Sequence, residues 1–105
     1  MVYNLVFDEV ILDQLKKASK NQQVKNFLAK ILNKIEEKDP DAGKLIDSVL
    51  KLYEVKMMHP PIRVYYFIKE HEQEAYVFEY DMKTSESKQQ NTINKLRNKL
   101  KKSKS

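Results

Sequence analysis

Leu52-Tyr53-Glu54-Val55-Lys56, followed by Ile62-Arg63-Val64-Tyr65-Tyr66-Phe67 and then by Tyr80-Asp81-Met82-Lys83-Thr84, sets cationic side chains inside aromatic and β-branched runs. Runs of this composition favour strands, in which successive side chains face opposite sides. Tyr53, Val55 and Met57 are therefore expected to pack inward, with Glu54, Lys56 and Met58 facing outward. The Pro60-Pro61 pair cannot continue a ladder, so it reads as the connection of a hairpin that returns Arg63 beside Lys56 on the neighbouring strand. Two cations on one sheet face repel and add nothing to a core. They need a partner carboxylate or an anionic ligand.

Working outward, Val49 to Met58, Ile62 to Lys69 and Ala75 to Met82 are three β-rich runs, joined by the two prolines and by the charged His71-Glu72-Gln73-Glu74 turn. Connections this short predict an antiparallel meander. Upstream, Tyr3, Leu5 and Phe7 lie in a short apolar run that predicts a first strand. Ile11, Leu15 and Ala18 then recur at helical spacing behind an N-cap at Asp8. Val24, Phe27, Leu28, Ile31, Leu32 and Ile35 form the apolar stripe of a second helix, opened by Asn21 and closed by Lys38-Asp39-Pro40. Asp41-Ala42-Gly43 reads as a turn and Lys44 to Ser48 as a short helical turn. Ile93, Leu96 and Leu100 mark a C-terminal helix over Thr92 to Lys102, extending at most over 86–103, with the last residues disordered. The order β-α-α-β-β-β-α defines an α+β domain: two N-terminal helices packed on one face of a four-stranded, mainly antiparallel sheet, the first strand at an edge, and a basic C-terminal helix.

At 105 residues the chain suffices for one domain, 1–105, with a single modest core. The absence of cysteine excludes a disulfide framework and a thiolate metal site and fits a reducing compartment. Two histidines, His59 and His71, are too few for a histidine-based zinc site, and neither metal nor cofactor is expected. No apolar run reaches the length of a membrane span and the N-terminus lacks the pattern of a secretory leader, so a cytoplasmic protein with no membrane partner is expected. The net charge of +5 is uneven: Met82 to Ser105 carries eight Lys or Arg against Glu86, a local +7, leaving −2 for the rest. Such a block is a footprint for nucleic acid or an acidic protein, or else a solvated tail that aids solubility.

The three quoted stretches, taken together and in this order after two helices, resemble the L-Y-E-L-R, Y-R-V-x-Y and F-x-K-K-T pattern of the RelE/HigB superfamily of toxin ribonucleases, in particular its HigB and phage-derived branch. The resemblance spans residues 2 to 100 in element order, and about fifteen positions carry it closely. It implies cleavage of mRNA in the ribosomal A site by a toxin that a cognate antitoxin, a small helix-turn-helix protein, holds inactive. Ribosome and mRNA would be its other partners, and DNA would be met only through the antitoxin complex. The implied reaction is a transesterification in which the ribose 2′-hydroxyl attacks the adjacent phosphorus, so the substrate carries its own nucleophile and no metal is required. The protein would supply charge for the phosphorane, proton transfer and RNA positioning.

By the same resemblance, Lys56, Arg63 and Lys83 match the family's basic residues, Arg63 being the one that binds the scissile phosphate. Tyr80, next to the cationic loop, is the aromatic residue best placed to stack on a base, and Glu54 is a candidate general base. Lys88, Lys95, Arg97, Lys99 and Lys101 are candidate RNA contacts; Lys95, Arg97, Lys99, Lys101 and Lys102 lie off the Ile93-Leu96-Leu100 stripe, so their neutralisation is expected to weaken RNA association and leave stability almost unchanged. Each site has a plainer reading as well. The tyrosines are strand formers, Arg63 could pair with Glu54 or Glu79, Glu54 could be a simple ion-pair member, and His59 and His71 could be solvated loop residues rather than acids or bases. The chain also departs from the pattern: Met82 replaces the first lysine of K-K-T, Ser85-Glu86-Ser87-Lys88 replaces Q-K-T-P, and Lys56 replaces an arginine, keeping charge without the bidentate fork. Two other functions fit these departures: a non-catalytic ParE-like protein acting on gyrase or another protein, or a mobile-element regulator that uses the basic helix on DNA.

Overall fold

The computed structural model describes residues 2–38, 42–58, 61–82 and 86–103, and only the backbone of Glu86 and Ser103. Its elements are β1 (Asn4–Phe7), α1 (Glu9–Ala18), α2 (Gln22–Glu36), β2 (Lys44–Asp47), β3 (Leu52–Met58), β4 (Pro61–Lys69), β5 (Glu74–Met82) and α3 (Glu86–Ser103). The expected first strand, three helices and β3-β4-β5 meander are all present, and the class is α+β. Asp39, Pro40 and Asp41, assigned to the end of α2 and the following turn, lie outside the described residues, as do the last two residues.

The sheet has five strands rather than four, in the order β1-β5-β4-β3-β2. Lys44–Asp47, expected as a helical turn, pairs antiparallel with β3 through Lys44↔Glu54 and Leu45↔Tyr53. A four-residue segment closes at most one costly helical turn, whereas here it satisfies backbone groups that β3 would otherwise leave open. β3 starts at Leu52 rather than Val49, because the Asp47 carboxylate accepts from the Val49 and Leu50 amides at 3.0 Å each and Lys51 follows with φ 57°. That tight turn takes up the residues assigned to the strand's beginning. β1 is at an edge, as expected, and runs parallel to β5 from Asn4↔Glu74 to Phe7↔Val77.

Both faces of the sheet are covered. Ile11 of α1 and Leu28, Ile31 and Ile35 of α2 pack on Val55, Val64 and Val77. Ile93, Leu96 and Leu100 of α3 pack on Leu52, Tyr65 and Phe78 on the opposite face. The helix starts follow their sequence signals: Asp8 accepts from the Val10 amide at 3.1 Å and Asn21 from the Val24 amide at 3.2 Å. The β4–β5 ladder is irregular at one point. Tyr65 faces Glu79 and Tyr66 faces Val77, so Phe78 is an extra residue and a bulge turns both Phe78 and Glu79 toward α3. No helix among the described residues is long and apolar enough to cross a membrane.

Candidate active site

The hairpin places Lys56 directly opposite Arg63, as its sequence requires. Lys56 is exposed and Arg63 half-buried, both on the face that α3 covers farther along the sheet. Arg63 carries the unusual feature of the site: its Nε and Nη1 are buried and have no hydrogen-bond partner among the described residues. Three buried carboxylates lie on the same face, Glu54, Glu79 and Asp81, and Asp81 is Arg63's cross-strand partner on β5. Each is engaged by α3 instead. Gln89 Nε2 donates to Glu54 at 2.9 Å, Thr92 Oγ1 donates to Asp81 at 3.0 Å, and Lys95 Nζ lies 2.8 Å from Glu79. The ion pair of Arg63 with Glu54 or Glu79 that its strand position allowed is therefore not formed.

Glu54, expected to face outward, is buried because α3 roofs that face of β3. Tyr65, fully buried beside this cluster, has a hydroxyl that makes no well-formed hydrogen bond. Burial, and then the Asp81 and Glu54 carboxylates, raise its phenol well above the ordinary value, with Arg63 opposing them only in part. The carboxylates thus keep their partners while the guanidinium's N–H groups stay available.

An open cleft of about 620 Å³ leads to this cation pair. Among the described residues β2 pairs with β3 only as far as Glu54, and no strand pairs with Val55–Met58 on that side. Glu54, Lys56, Arg63 and Gln89 line the cleft together with Lys44 of β2, which shares their face as Glu54's cross-strand partner, and Lys30 and Lys34 of α2 line it as well. Sequence reasoning missed Gln89 and Thr92. Gln89 was readable in principle, since it sits four residues before Ile93 and extends the stripe that Leu96 and Leu100 continue.

The structure brings together Lys56, Arg63 and Glu54 but not Tyr80. That side chain packs on the α1/α2 face, and its backbone is clamped by Gln14, which donates to the Tyr80 carbonyl at 2.8 Å and accepts from the Tyr80 amide at 2.9 Å. Lys83 and His59 lie outside the described residues. His71 is exposed in the β4–β5 turn. Among the described residues no three His, Asp or Glu side chains are grouped to hold a metal ion.

The basic helix is less free than its composition suggests. Lys95 is bound to Glu79, Arg97 Nε lies 3.0 Å from Asp47, and Lys99 Nζ lies 2.8 Å from Asp8. Three of the candidate RNA contacts thus fasten α3 to the sheet from both flanks, while Lys88 and Lys101 are exposed. Their neutralisation would remove these ties, which at this exposure contribute about 0–1 kcal/mol each. Burial pulls the Asp8 carboxyl up, but Lys99, the Tyr76 hydroxyl at 2.7 Å and the Val10 amide outweigh it and hold the group below its ordinary value. The Leu50 amide, with Arg97 and the Val49 amide, holds Asp47 down against a smaller opposing effect of burial. The Tyr76 phenol is pushed up to about 12 by burial and by its bond to Asp8.

Two helices on one face of a mixed five-stranded sheet and a third helix on the other make a fold that this chain shares with solved structures of RelE toxin. The comparisons with solved structures give the particulars. A doubly substituted mutant of the E. coli toxin RelE in the free state superposes with a TM-score of 0.68, at 21% identity, over 90% of this chain and 98% of that one. The isolated E. coli RelE toxin in its P21 form gives 0.55 at 20% identity over 90% and 98%. A chain of the intact E. coli RelBE toxin-antitoxin complex gives 0.54 at 22% identity over 79% and 99%. At these identities the likeness is one of fold, and it does not single out the HigB branch. No protein-family model and no curated protein matches the chain.

Proposed function

We propose that this chain is the toxin of a type II toxin-antitoxin pair and acts on ribosome-bound mRNA as a metal-independent endoribonuclease in the cytoplasm. The observation that carries the reading is the Arg63 guanidinium, two of whose buried N–H groups have no partner among the described residues, in an open basic cleft beside Lys56. A buried charged donor without a partner is costly, and a phosphate oxygen is the acceptor that guanidinium geometry suits best. In the reaction, Arg63 and Lys56 hold the scissile phosphate and stabilise the negative charge that develops on its equatorial oxygens. Glu54, fixed by Gln89, accepts the 2′-hydroxyl proton as the oxygen attacks phosphorus, and the P–O5′ bond breaks to leave a 2′,3′-cyclic phosphate and an O5′ that takes a proton from water to become the 5′-hydroxyl. The antitoxin partner follows from the same reading and is supported by the fold shared with the toxin of a toxin-antitoxin complex.

The test is a cleavage assay with purified protein on mRNA-programmed ribosomes, with product ends mapped. Cleavage leaving a 5′-hydroxyl, retained in chelator under conditions that preserve the ribosome, is expected. No cleavage by the parent protein, or activity lost to chelator and restored by one added divalent ion, overturns the mechanism.

A further inference from the structure

We infer that the RNA strand reaching Arg63 is held by a second, separate set of cations, Lys30 and Lys34 of α2 with Lys44 of β2, and that its phosphates follow this wall of the cleft rather than α3. The inference rests on the RNA reading above and adds the path that the substrate takes.

The rotation of α2 is fixed by its packing. Ile31 and Ile35 are almost fully buried against the sheet, and Lys30 and Lys34, one turn apart and each just ahead of a buried isoleucine, are thereby held at the rim of the cleft. Like charges at this spacing on a helix destabilise it, and both residues are exposed, so neither adds to the core. Lys44 opposes Glu54 at the end of the β2–β3 ladder, shares its face, and reaches the same cleft from the sheet beside the two α2 lysines. Glu54 is already hydrogen-bonded to Gln89. None of the three lysines forms an ion pair with a carboxylate among the described residues.

That sets them apart from the basic helix. Lys95, Arg97 and Lys99 are each held by a carboxylate of the sheet or its loops, and a cation already neutralised by its own chain has less to offer a phosphate. Among the described residues the cleft carries five cations, Lys30, Lys34, Lys44, Lys56 and Arg63, against the single carboxylate of Glu54. Its volume of about 620 Å³ lies within the range of about 300–1,000 Å³ that holds whole ligands. Because no described strand pairs with its β3 side, an RNA strand can run through it without displacing a described element. A flexible polyanion with regularly spaced phosphates fits this geometry, with the scissile phosphate on Arg63 and its neighbours along α2.

The probe is a fluorescently labelled single-stranded RNA oligonucleotide made non-cleavable by 2′-O-methyl groups, titrated with intact protein across a salt series. Lys30→Ala/Lys34→Ala/Lys44→Ala is compared with Lys16→Ala/Lys17→Ala/Lys20→Ala, an equal loss of charge at exposed positions of α1 and the turn after it, and with Arg63→Ala. Each cation removed from a single-stranded phosphate lowers the log-log salt slope by about 0.7, so the wall variant should lose about two units of slope while the α1 variant keeps the parent's slope. Thermal melts unchanged by the wall substitutions establish that the fold is intact. Equal losses in the wall and α1 variants mean a net-charge effect and overturn the inference. A slope that falls with Arg63→Ala but not with the wall variant overturns the wall alone. A parent protein that binds no RNA, on or off the ribosome, overturns the functional reading and the inference with it.

Discussion

Lys56 and Arg63 stand opposite each other in the β3–β4 ladder, two cations in register, and among the described residues no carboxylate is bonded to the buried N–H groups of Arg63. Like charges opposite one another destabilise a sheet, so the pair costs stability in the free protein and recovers it only with an anion. Arg63→Ala should therefore lower cleavage by about 10²–10³-fold while leaving the melting temperature unchanged or slightly higher. Arg63→Lys should restore only part of the rate, because an ammonium lacks the planar fork. Single-turnover cleavage beside thermal unfolding checks both; a large fall in melting temperature would mark the residue as structural.

Glu54→Gln separates the proton acceptor from the packing. An amide oxygen can still accept the hydrogen bond that Gln89 now donates, so the local structure should survive. Loss of a general base typically costs about 10²–10⁴-fold, and affinity for non-cleavable RNA should not fall. Retained cleavage in this variant would assign the proton transfer to another group.

Acid should loosen the attachment of α3. Asp8 and Asp47 both have carboxyl groups held below the ordinary value of 3.8 in the folded state. A depressed carboxyl contributes stability that is fully present above its unfolded value and is lost as pH falls through the folded one. Urea-unfolding free energies should thus vary little between about pH 7 and 5 from these groups and decline below about 4. Asp8→Asn keeps a helix cap, loses the charge, and should make the decline shallower; Asp8→Ala should also cost about 0.5–2 kcal/mol at neutral pH through the lost cap. An unchanged acid limb in both Asp8 variants would discount the pair with Lys99.

Gly43 tests the seam between β2 and the core. A Cβ there would fall on the Tyr66 hydroxyl oxygen and 2.9 Å from its Cζ, and Tyr66 is buried and stacked on Tyr53 at 5.3 Å. Gly43→Ala should destabilise by about 1–3 kcal/mol as an overpacked site. Tyr66→Phe in that background should recover part of the loss, and calorimetry on the two variants reads it directly.

Helices α1 and α2, their caps and the hairpin with its opposed cations were legible because each rests on local signals: Asp8 and Asn21 ahead of helical periodicity, and alternation around a proline pair. β2 was not, since Lys44–Asp47 is too short to show a period and is a strand only because β3 offers it an edge. The burial of Glu54 and the pairing of Lys95, Arg97 and Lys99 also escaped. Both depend on where α3 docks, which the spacing of Ile93, Leu96 and Leu100 does not reveal. The α2 lysines were hidden by the same limit: a helical face can be read from sequence, but not the strand edge it overlooks.

The bulge in β5 decides which chemistry stands beside the guanidinium. Counted in steps of one from Phe67↔Tyr76, an uninterrupted ladder would set Tyr80 across from Arg63; the extra residue at Phe78 advances the strand by one, so Asp81 takes that place and Tyr80 turns to the other layer. A frame of one residue in the backbone therefore chooses between a phenol and a carboxylate at the same point in space. A chain shortened by one residue there could exchange an acid for an aromatic platform without a single side-chain substitution, a route by which one scaffold can change its contact with a nucleotide by deletion alone.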